Sequence, residues 1–237
     1  MKPRAAILLF PGSNCERDAF YGLEQTGFDP CFLWHKESRL DPEIRLVIVP
    51  GGFSFGDYLR CGSIASHSPV MSAVRKFADN GGLVLGICNG FQILTESGLL
   101  PGALLINRTL NFRCHDVFLR CDNTSTPFTS AIGGPLKMPI AHYEGNYQVS
   151  GEELADMERN SQIAFRYCGP DGVYAEGCNP NGSTADIAGI FNKQKNVLGM
   201  MPHPERAVEN LLGSTAGREI FASLLSSLEQ SAAGGMN

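Results

Sequence analysis

Residues 83–92, LVLGICNGFQ, place a cysteine between two glycines where an apolar run ends. The five residues GICNG have the spacing of a nucleophile elbow with cysteine in place of serine, in which small residues let a strand and a helix pack closely around a sharp turn. Cys88 would project from this turn, and the N-terminus of the following helix would favour its thiolate. Alternatively, Cys88 is a small apolar residue in a packed corner. The motif alone leaves both interpretations open.

A thiol nucleophile needs a base, and the base needs a group that orients it. The sequence MPHPER, residues 201–206, offers both. His203 and Glu205 are two residues apart and would share one side of an extended segment, while the flanking prolines disfavour a helix. The alternative is a surface turn with a chance histidine. The two motifs together favour catalysis, because the strand-like run VLGMM would bring this pair to the sheet edge that carries Cys88.

Acyl transfer also needs hydrogen-bond donors for a developing oxyanion. The backbone N–H of Asn89 follows the cysteine and points to where the oxyanion would form. The glycine-rich segment PGGFSFGDYLRCG follows the apolar run LVIV and lacks the G-K-[ST] of a phosphate-binding loop. If it lies beside the strand at 83–87, the N–H of Gly52 or Phe53 would supply the second donor.

Composition and charge exclude several classes of protein. A length of 237 residues suits one α/β domain, and a net charge of -5 without a basic cluster argues against a nucleic-acid surface. No apolar run approaches the roughly 20 residues that span a bilayer. The apolar run in MKPRAAILLFPG is too short for the core of a signal peptide, and we interpret it as the first strand.

The eight cysteines include no C-x-x-C pair, so we expect reduced thiols in a cytoplasmic protein. Cys114, His115 and Cys121 match no zinc-binding spacing. We therefore expect no metal site.

Apolar runs alternate with helix-like segments over the first 100 residues, which predicts a mostly parallel central sheet with helices on both faces. In this part the predicted strands are 5–10, 31–34, 46–50 and 83–87, and the predicted helices are 15–27, one within 64–82, and 89–98. Beyond residue 100 the predicted strands are 103–109, 116–121, 137–143, 163–168, 186–192 and 197–201, followed by a helix at 216–228. These elements indicate a single α/β domain, residues 1–228, with a disordered tail at 229–237.

The motifs taken together resemble the class I, or triad, glutamine amidotransferases. More closely, they resemble the branch formed by glutaminase subunits of phosphoribosylformylglycinamidine synthase. The resemblance extends from residue 11 to 207 and rests on PGSNCERD, PGGFSFGDYLRCG, GICNGFQIL, IAHYEGNY, NPNGS with IAGI, and MPHPERA. The asparagine after the nucleophile and the run GDYLRCG are specific to this branch.

This resemblance implies hydrolysis of glutamine to glutamate and ammonia through a γ-glutamyl thioester. It implies a large synthetase subunit as partner, which uses ATP and Mg²⁺ to convert formylglycinamide ribonucleotide to the amidine in purine biosynthesis, and no cofactor in this chain. A small bridging subunit is left open. The implied site residues are Cys88, His203 and Glu205 as the triad; Gly52, Phe53 and Asn89 as oxyanion donors; Gln92, one helical turn after the nucleophile, and His142 as glutamine contacts.

Two positions depart from the family pattern. His115-Asp116 stands where a basic–aromatic pair is expected, and Tyr143 stands where glycine is common. Neither belongs to the triad. Both departures would alter the rim of the glutamine pocket or the subunit interface.

Two rival functions are weighed against this interpretation. Another cysteine hydrolase or peptidase of the same architecture often carries histidine directly after the nucleophile, where this chain has Asn89. A non-catalytic subunit of the same fold would be expected to lose Cys88, His203 or Glu205, and all three are present.

Overall fold

The computed structural model describes residues 2–234, which form a nine-stranded sheet, a separate two-stranded sheet and six α-helices. The strands are β1 Arg4–Leu9, β2 Asp29–Trp34, β3 Ile44–Val49, β4 Leu83–Ile87, β5 Ala103–Leu105, β6 Arg113–Cys121, β7 Leu136–His142, β8 Asn146–Gln148, β9 Ile163–Cys168, β10 Ile187–Phe191 and β11 Val197–Met200. The helices are α1 Glu16–Gln25, α2 Ser63–Ser66, α3 Pro69–Asp79, α4 Asn89–Glu96, α5 Gly151–Arg159 and α6 Gly217–Gly234. Among these helices, none is both long enough and apolar enough to cross a membrane.

The large sheet has the strand order β2-β1-β3-β4-β11-β10-β9-β6-β7. Its first five strands are mutually parallel. The chain runs from β1 through α1 to β2, which lies on one side of β1 in the sheet. It later runs from β3 through α3 to β4, in the opposite direction across the sheet. Because such crossovers are right-handed, α1 and α3 lie on opposite faces. Strands β3, β4 and β11 are almost wholly apolar and buried, as expected for a sheet covered on both faces. The predicted architecture is confirmed.

The other four strands, β10, β9, β6 and β7, are antiparallel to their neighbours. Buried and partly exposed residues alternate along β7, as they do when one face of a strand packs against the core. The sequence predicted a succession of strands after residue 100, but it did not predict their antiparallel pairing. β5 and β8 form the small second sheet.

The structure differs from the sequence predictions at three elements. The prediction omitted β8 and α5, although Ser150 and Glu153 form a capping box, which is a recognisable signal for the start of a helix. The last helix was predicted to end at 228 with a disordered tail beyond it, but α6 continues to Gly234. Residues 235–237 of the predicted tail lie outside the described residues. The helix continues because alanine and serine, which helices tolerate, follow position 228.

The junction between β4 and α4 requires glycine on both sides of Cys88. A Cβ atom at Gly90 would lie 1.8 Å from the carbonyl oxygen of Val49 in β3, and one at Gly86 would lie 2.5 Å from the Leu94 side chain. Cβ atoms never approach neighbouring atoms this closely, so a larger residue would force α4 away from the sheet. The spacing G-x-C-x-G is therefore a packing requirement of the helix that follows the cysteine.

We predict that Gly90→Ala lowers the free energy of unfolding by about 1–3 kcal/mol or more, because the new methyl group overpacks the contact with β3. Gly134→Ala is the matched control, because a Cβ at Gly134 meets no atom within 4 Å. Urea denaturation followed by circular dichroism measures both. Equal stability of the two variants would contradict this account of the junction.

Candidate active site

Four neighbouring parallel strands end at one edge of the sheet, and each is followed by a residue of the site. In spatial order the strands are β1, β3, β4 and β11, and the residues that follow them include Cys15, Gly52, Cys88 and His203. The carboxyl ends of strands beside a reversal of strand order are where α/β sheets bind ligands. A cavity of about 110 Å³ lies there, and its lining consists of Asn14, Cys15, Gly52, Phe53, Cys88, Phe112, Ala141, His203 and Arg206.

The backbone of Cys88 is strained, with φ of 50° and ψ of -106°. L-residues seldom adopt this conformation, and it persists only where the surrounding structure enforces it. The N–H of Cys88 donates to the carbonyl of Met200 in β11, at 2.8 Å. Its side chain is buried, and Sγ lies 3.5 Å from the carbonyl oxygen of Ala141. This is the geometry of a nucleophile elbow that presents its thiol to the cavity.

His203 and Glu205 form a buried pair. Nδ1 of His203 lies 2.6 Å from Oε1 of Glu205, and both side chains are almost wholly shielded from solvent. Burial by itself lowers the pKa of His203, but the Glu205 carboxylate and the Cys88 thiol outweigh burial and hold this pKa well above 6.5. Nε2 makes no hydrogen bond to any residue between 2 and 234. A protonated imidazole in this position can stabilise a thiolate and later give its proton to a leaving amine.

Cys15 is a second buried thiol in the same cavity, and its proximity to His203 was not anticipated from the sequence. Its Sγ, a ring nitrogen of His203 and a carboxylate oxygen of Glu205 lie within 4.8 Å of one another. Burial raises the pKa of Cys15, which keeps this thiol protonated. The clue in the sequence is its position after β1, a strand that ends at the same edge as β4.

The cluster of Cys15, His203 and Glu205 has the residue types of a metal site, but its contacts oppose a cation. The His203 Nδ1 and the Glu205 Oε1 are already bonded to each other. The guanidinium of Arg206 donates to the Cys15 Sγ at 3.2 Å and places a positive charge where a metal would bind. The geometry therefore favours a catalytic pair over a metal centre.

The candidate oxyanion donors differ in their availability. The N–H of Phe53 donates to the carbonyl of Gly12 at 2.9 Å. The N–H of Gly52 makes no hydrogen bond to the described residues, and neither does that of Asn89, the first residue of α4, which has no acceptor within its own helix. Gly52 has a φ of 151°, and a Cβ there would lie 2.8 Å from the Ser13 Cα. Glycine is thus required where the loop approaches the cavity.

Gln92 is buried in α4 rather than in the lining of the cavity. Its Oε1 accepts from the side chain of Asn89 at 2.8 Å, and its Nε2 donates to the carbonyl of Glu144 at 2.6 Å. Both ends of this amide are therefore bonded within the protein. The predicted contact of Gln92 with glutamine remains a prediction, and it would require an exchange of these partners.

His142 lies at the end of β7 and is also buried. Its Nδ1 lies 3.1 Å from Oδ1 of Asn107, and because that oxygen can only accept, Nδ1 carries the hydrogen. Burial first, and then the nearby His203, lowers the pKa of His142 to about 3. The ring is therefore neutral at physiological pH, and its Nε2 makes no hydrogen bond to the described residues. A neutral ring is a poor proton donor but can accept a hydrogen bond.

The two departures from the family pattern lie outside the cavity lining. Asp116 forms an exposed ion pair with Lys137, at 2.8 Å. The Tyr143 side chain is partly exposed, and its carbonyl accepts from the N–H of Asn107. Neither departure disturbs the cysteine or the buried pair.

A cysteine on a strained elbow, with a buried histidine and glutamate at the next strand, defines the chain as an α/β protein whose sheet edge carries the residue types of a cysteine hydrolase. The family model described as the CobB/CobQ-like glutamine amidotransferase domain matches residues 2–224. A phosphoribosylformylglycinamidine synthase subunit PurQ of Koribacter versatilis is 55% identical over 94% of this chain and 97% of its own. One from Rhodopseudomonas palustris is 52% identical over 97% of this chain and all of its own.

Among solved structures, that of PurLQS from Thermotoga maritima has a TM-score of 0.84 at 43% identity, and the alignment covers 96% of this chain and 100% of the matched chain. This chain belongs to the PurQ family of glutamine amidotransferases.

We predict that His142→Gln makes the free energy of unfolding less dependent on pH between about pH 3 and pH 6.5. In the unfolded chain this histidine binds a proton below about pH 6.5, whereas in the folded chain it does so only near pH 3. Between these values acidification therefore favours unfolding, by at most about 1.4 kcal/mol per pH unit. Urea denaturation at several pH values should show a smaller slope for His142→Gln than for the wild type. The control His67→Gln, at an exposed histidine that does not influence His142, should retain the wild-type slope. Three equal slopes would contradict the prediction.

Proposed function

We propose that this chain is the glutaminase subunit of a phosphoribosylformylglycinamidine synthase. The observation that carries the proposal is the strained Cys88 facing the same cavity as the buried His203–Glu205 pair, in a chain more than 50% identical to PurQ subunits. Glutamine and water would be converted to glutamate and ammonia. The intact triad argues against a non-catalytic subunit of the same fold.

In the proposed reaction the Cys88 thiolate attacks the side-chain carbonyl carbon of glutamine. The oxyanion that develops accepts hydrogen bonds from the N–H groups of Gly52 and Asn89. His203, oriented by Glu205, protonates the amide nitrogen of the tetrahedral intermediate, so that the C–N bond breaks and ammonia leaves. The neutral imidazole then activates the water that hydrolyses the γ-glutamyl thioester. Phe53 can serve as a donor only if its present bond to Gly12 is broken.

Glutamine recognition is proposed to involve Gln92 and His142. The unbonded Nε2 of His142 could accept from a substrate N–H group. Gln92 reaches the segment after β7 through the Glu144 carbonyl, so it could shape the pocket even while its amide keeps its present partners.

Ammonia is proposed to pass to a large synthetase subunit, which would use ATP and Mg²⁺ in the amidation step. The similarity to a chain of the PurLQS structure supports a complex that also includes a small third subunit. All eight cysteines of this chain are free thiols, which supports action in the reducing cytoplasm.

The surface around the cavity carries large exposed apolar side chains and is proposed to contact the partner. Phe53 and Phe112 line the cavity and are about half exposed. In the segment GDYLRCG, the exposed fraction is 73% for Tyr58 and 90% for Leu59. Large exposed apolar side chains that surround one site are typical of a protein interface. Docking there would act directly on the loop that carries Gly52.

We predict that Cys88→Ala abolishes glutamine hydrolysis, with a loss of about 10⁴-fold or more, because the nucleophile is removed. The reconstituted complex should still form product from added ammonium salt, because amidation takes place in the other subunit. Assays of glutamate release and of ammonium-dependent synthesis measure both activities. Glutamine-dependent turnover by the variant would contradict the assignment of the nucleophile.

We predict that docking raises a low glutaminase activity of the isolated chain by about 10²–10³-fold, the usual value of one oxyanion donor. Leu59→Lys should lower this stimulation at least about tenfold by placing a charge in the interface. Leu211→Lys is the control, because Leu211 is equally exposed but lies outside GDYLRCG. Glutamate release with and without the partner is the measurement. An isolated chain as active as the complex would disprove activation by docking.

A further inference from the structure

The loop that follows β3 is held in an unusual backbone conformation. Phe55, Asp57 and Leu59 have positive φ angles of 54°, 55° and 72°, and Gly56 has one of 74°. Side chains make this region costly, and a run of such residues persists only where other contacts fix it. Because the loop also carries Gly52, whatever fixes it also fixes the proposed oxyanion donor.

The side chain of Asn89 makes two contacts with this loop from across the cavity edge. Its Oδ1 accepts from the N–H of Ser54 at 3.1 Å, and its Nδ2 donates to the Asp57 carboxylate at 3.4 Å. Asn89 and Ser54 are both almost wholly buried, so this N–H would be without a partner if the amide were absent.

The same amide group also connects the loop to the far side of the pocket. Nδ2 of Asn89 donates to Gln92 at 2.8 Å, and Gln92 donates to the Glu144 carbonyl at 2.6 Å. One uncharged amide therefore accepts from one loop and donates to two acceptors. An aspartate side chain here could still accept from the Ser54 N–H. It has no hydrogen to donate to Asp57 or Gln92, so both of those hydrogen bonds would be lost.

We infer that the Asn89 side chain is a positioning residue that holds the loop carrying Gly52 in its productive conformation. The residue after the nucleophile then acts twice: its backbone N–H is one oxyanion donor, and its side chain places the other. This inference rests on the proposed glutaminase function. It explains why asparagine suits this position, since an amide can accept from the Ser54 N–H and donate to the Asp57 carboxylate at the same time.

The test is Asn89→Asp, alone and with Asp57→Asn, in the reconstituted complex. We expect the single variant to lower kcat for glutamine hydrolysis about 10²-fold, the usual cost of misplacing one oxyanion donor, with a much smaller change in the KM for glutamine. Asp57→Asn restores a hydrogen bond between the two side chains, because the new amide at position 57 can donate to the carboxylate at position 89. In the Asn89→Asp background it should recover at least about tenfold of the loss.

Alkylation of Cys88 by iodoacetamide separates positioning from general damage to the site. This reagent forms an S–C bond and releases iodide without developing an oxyanion. Because an aspartate beside Cys88 disfavours the thiolate, the rate is compared at pH values high enough to ionise Cys88 in both proteins. This limiting rate, followed by mass spectrometry, should be the same in the wild type and in Asn89→Asp. Asn80→Asp is the matched control: it makes the same change of charge at the exposed end of α3 and should alter neither rate.

The positioning role is overturned if Asn89→Asp keeps the wild-type kcat, if alkylation falls as much as turnover, or if Asp57→Asn recovers nothing. The proposed function is judged separately in the same assay. It fails if the wild-type complex does not hydrolyse glutamine or if Cys88→Ala hydrolyses it as fast.

Discussion

The close approach of α4 to the sheet at Gly90 is the constraint on which the site depends. Because no side chain separates Gly90 from the Val49 carbonyl, the helix can start immediately after β4, and the backbone of Cys88 is forced into its strained conformation. The strain has a geometric use, since it turns the thiol out of the sheet and leaves the first N–H of the helix beside it. Packing in the core thus determines the chemistry at the sheet edge.

The second constraint is electrostatic. His203 and Glu205 are buried together, and the charge that each carries is compensated by the other. A buried pair of this kind is costly to desolvate and contributes little net stability, but breaking it leaves an isolated buried charge. The pair therefore keeps the imidazole in one orientation, and in one tautomer whenever the ring is neutral. This rigidity suits the proton transfer proposed for His203, in which Nε2 would face the reacting atoms throughout the cycle.

The sequence predicted the parallel half of the fold, because strand periodicity encodes it locally. Two short motifs drew attention to Cys88, His203 and Glu205, which the structure brings to one sheet edge. It did not predict that Cys15 lies beside His203 or that the Asn89 amide bonds to Ser54, since such contacts depend on how separate loops meet in space. The helix α5 could have been predicted from its capping box. The hydrogen bond from the Phe53 N–H to the Gly12 carbonyl could not have been predicted. The direction of a backbone N–H depends on φ and ψ angles, and the residue types of a glycine-rich loop do not determine these angles.

The insertion of β11 between β4 and β10 has a consequence for synthesis of the chain. The parallel partner of β4 on that side is residues 197–200, which leave the ribosome about 110 residues after Cys88. Until then β4 has an unpaired edge, and the reactive thiol has no histidine beside it. With the roles proposed for Cys88 and His203, the nascent chain cannot consume substrate before the domain is nearly complete. It also has to protect an apolar strand for nearly half of its translation, which makes premature termination a source of aggregation rather than of uncontrolled activity.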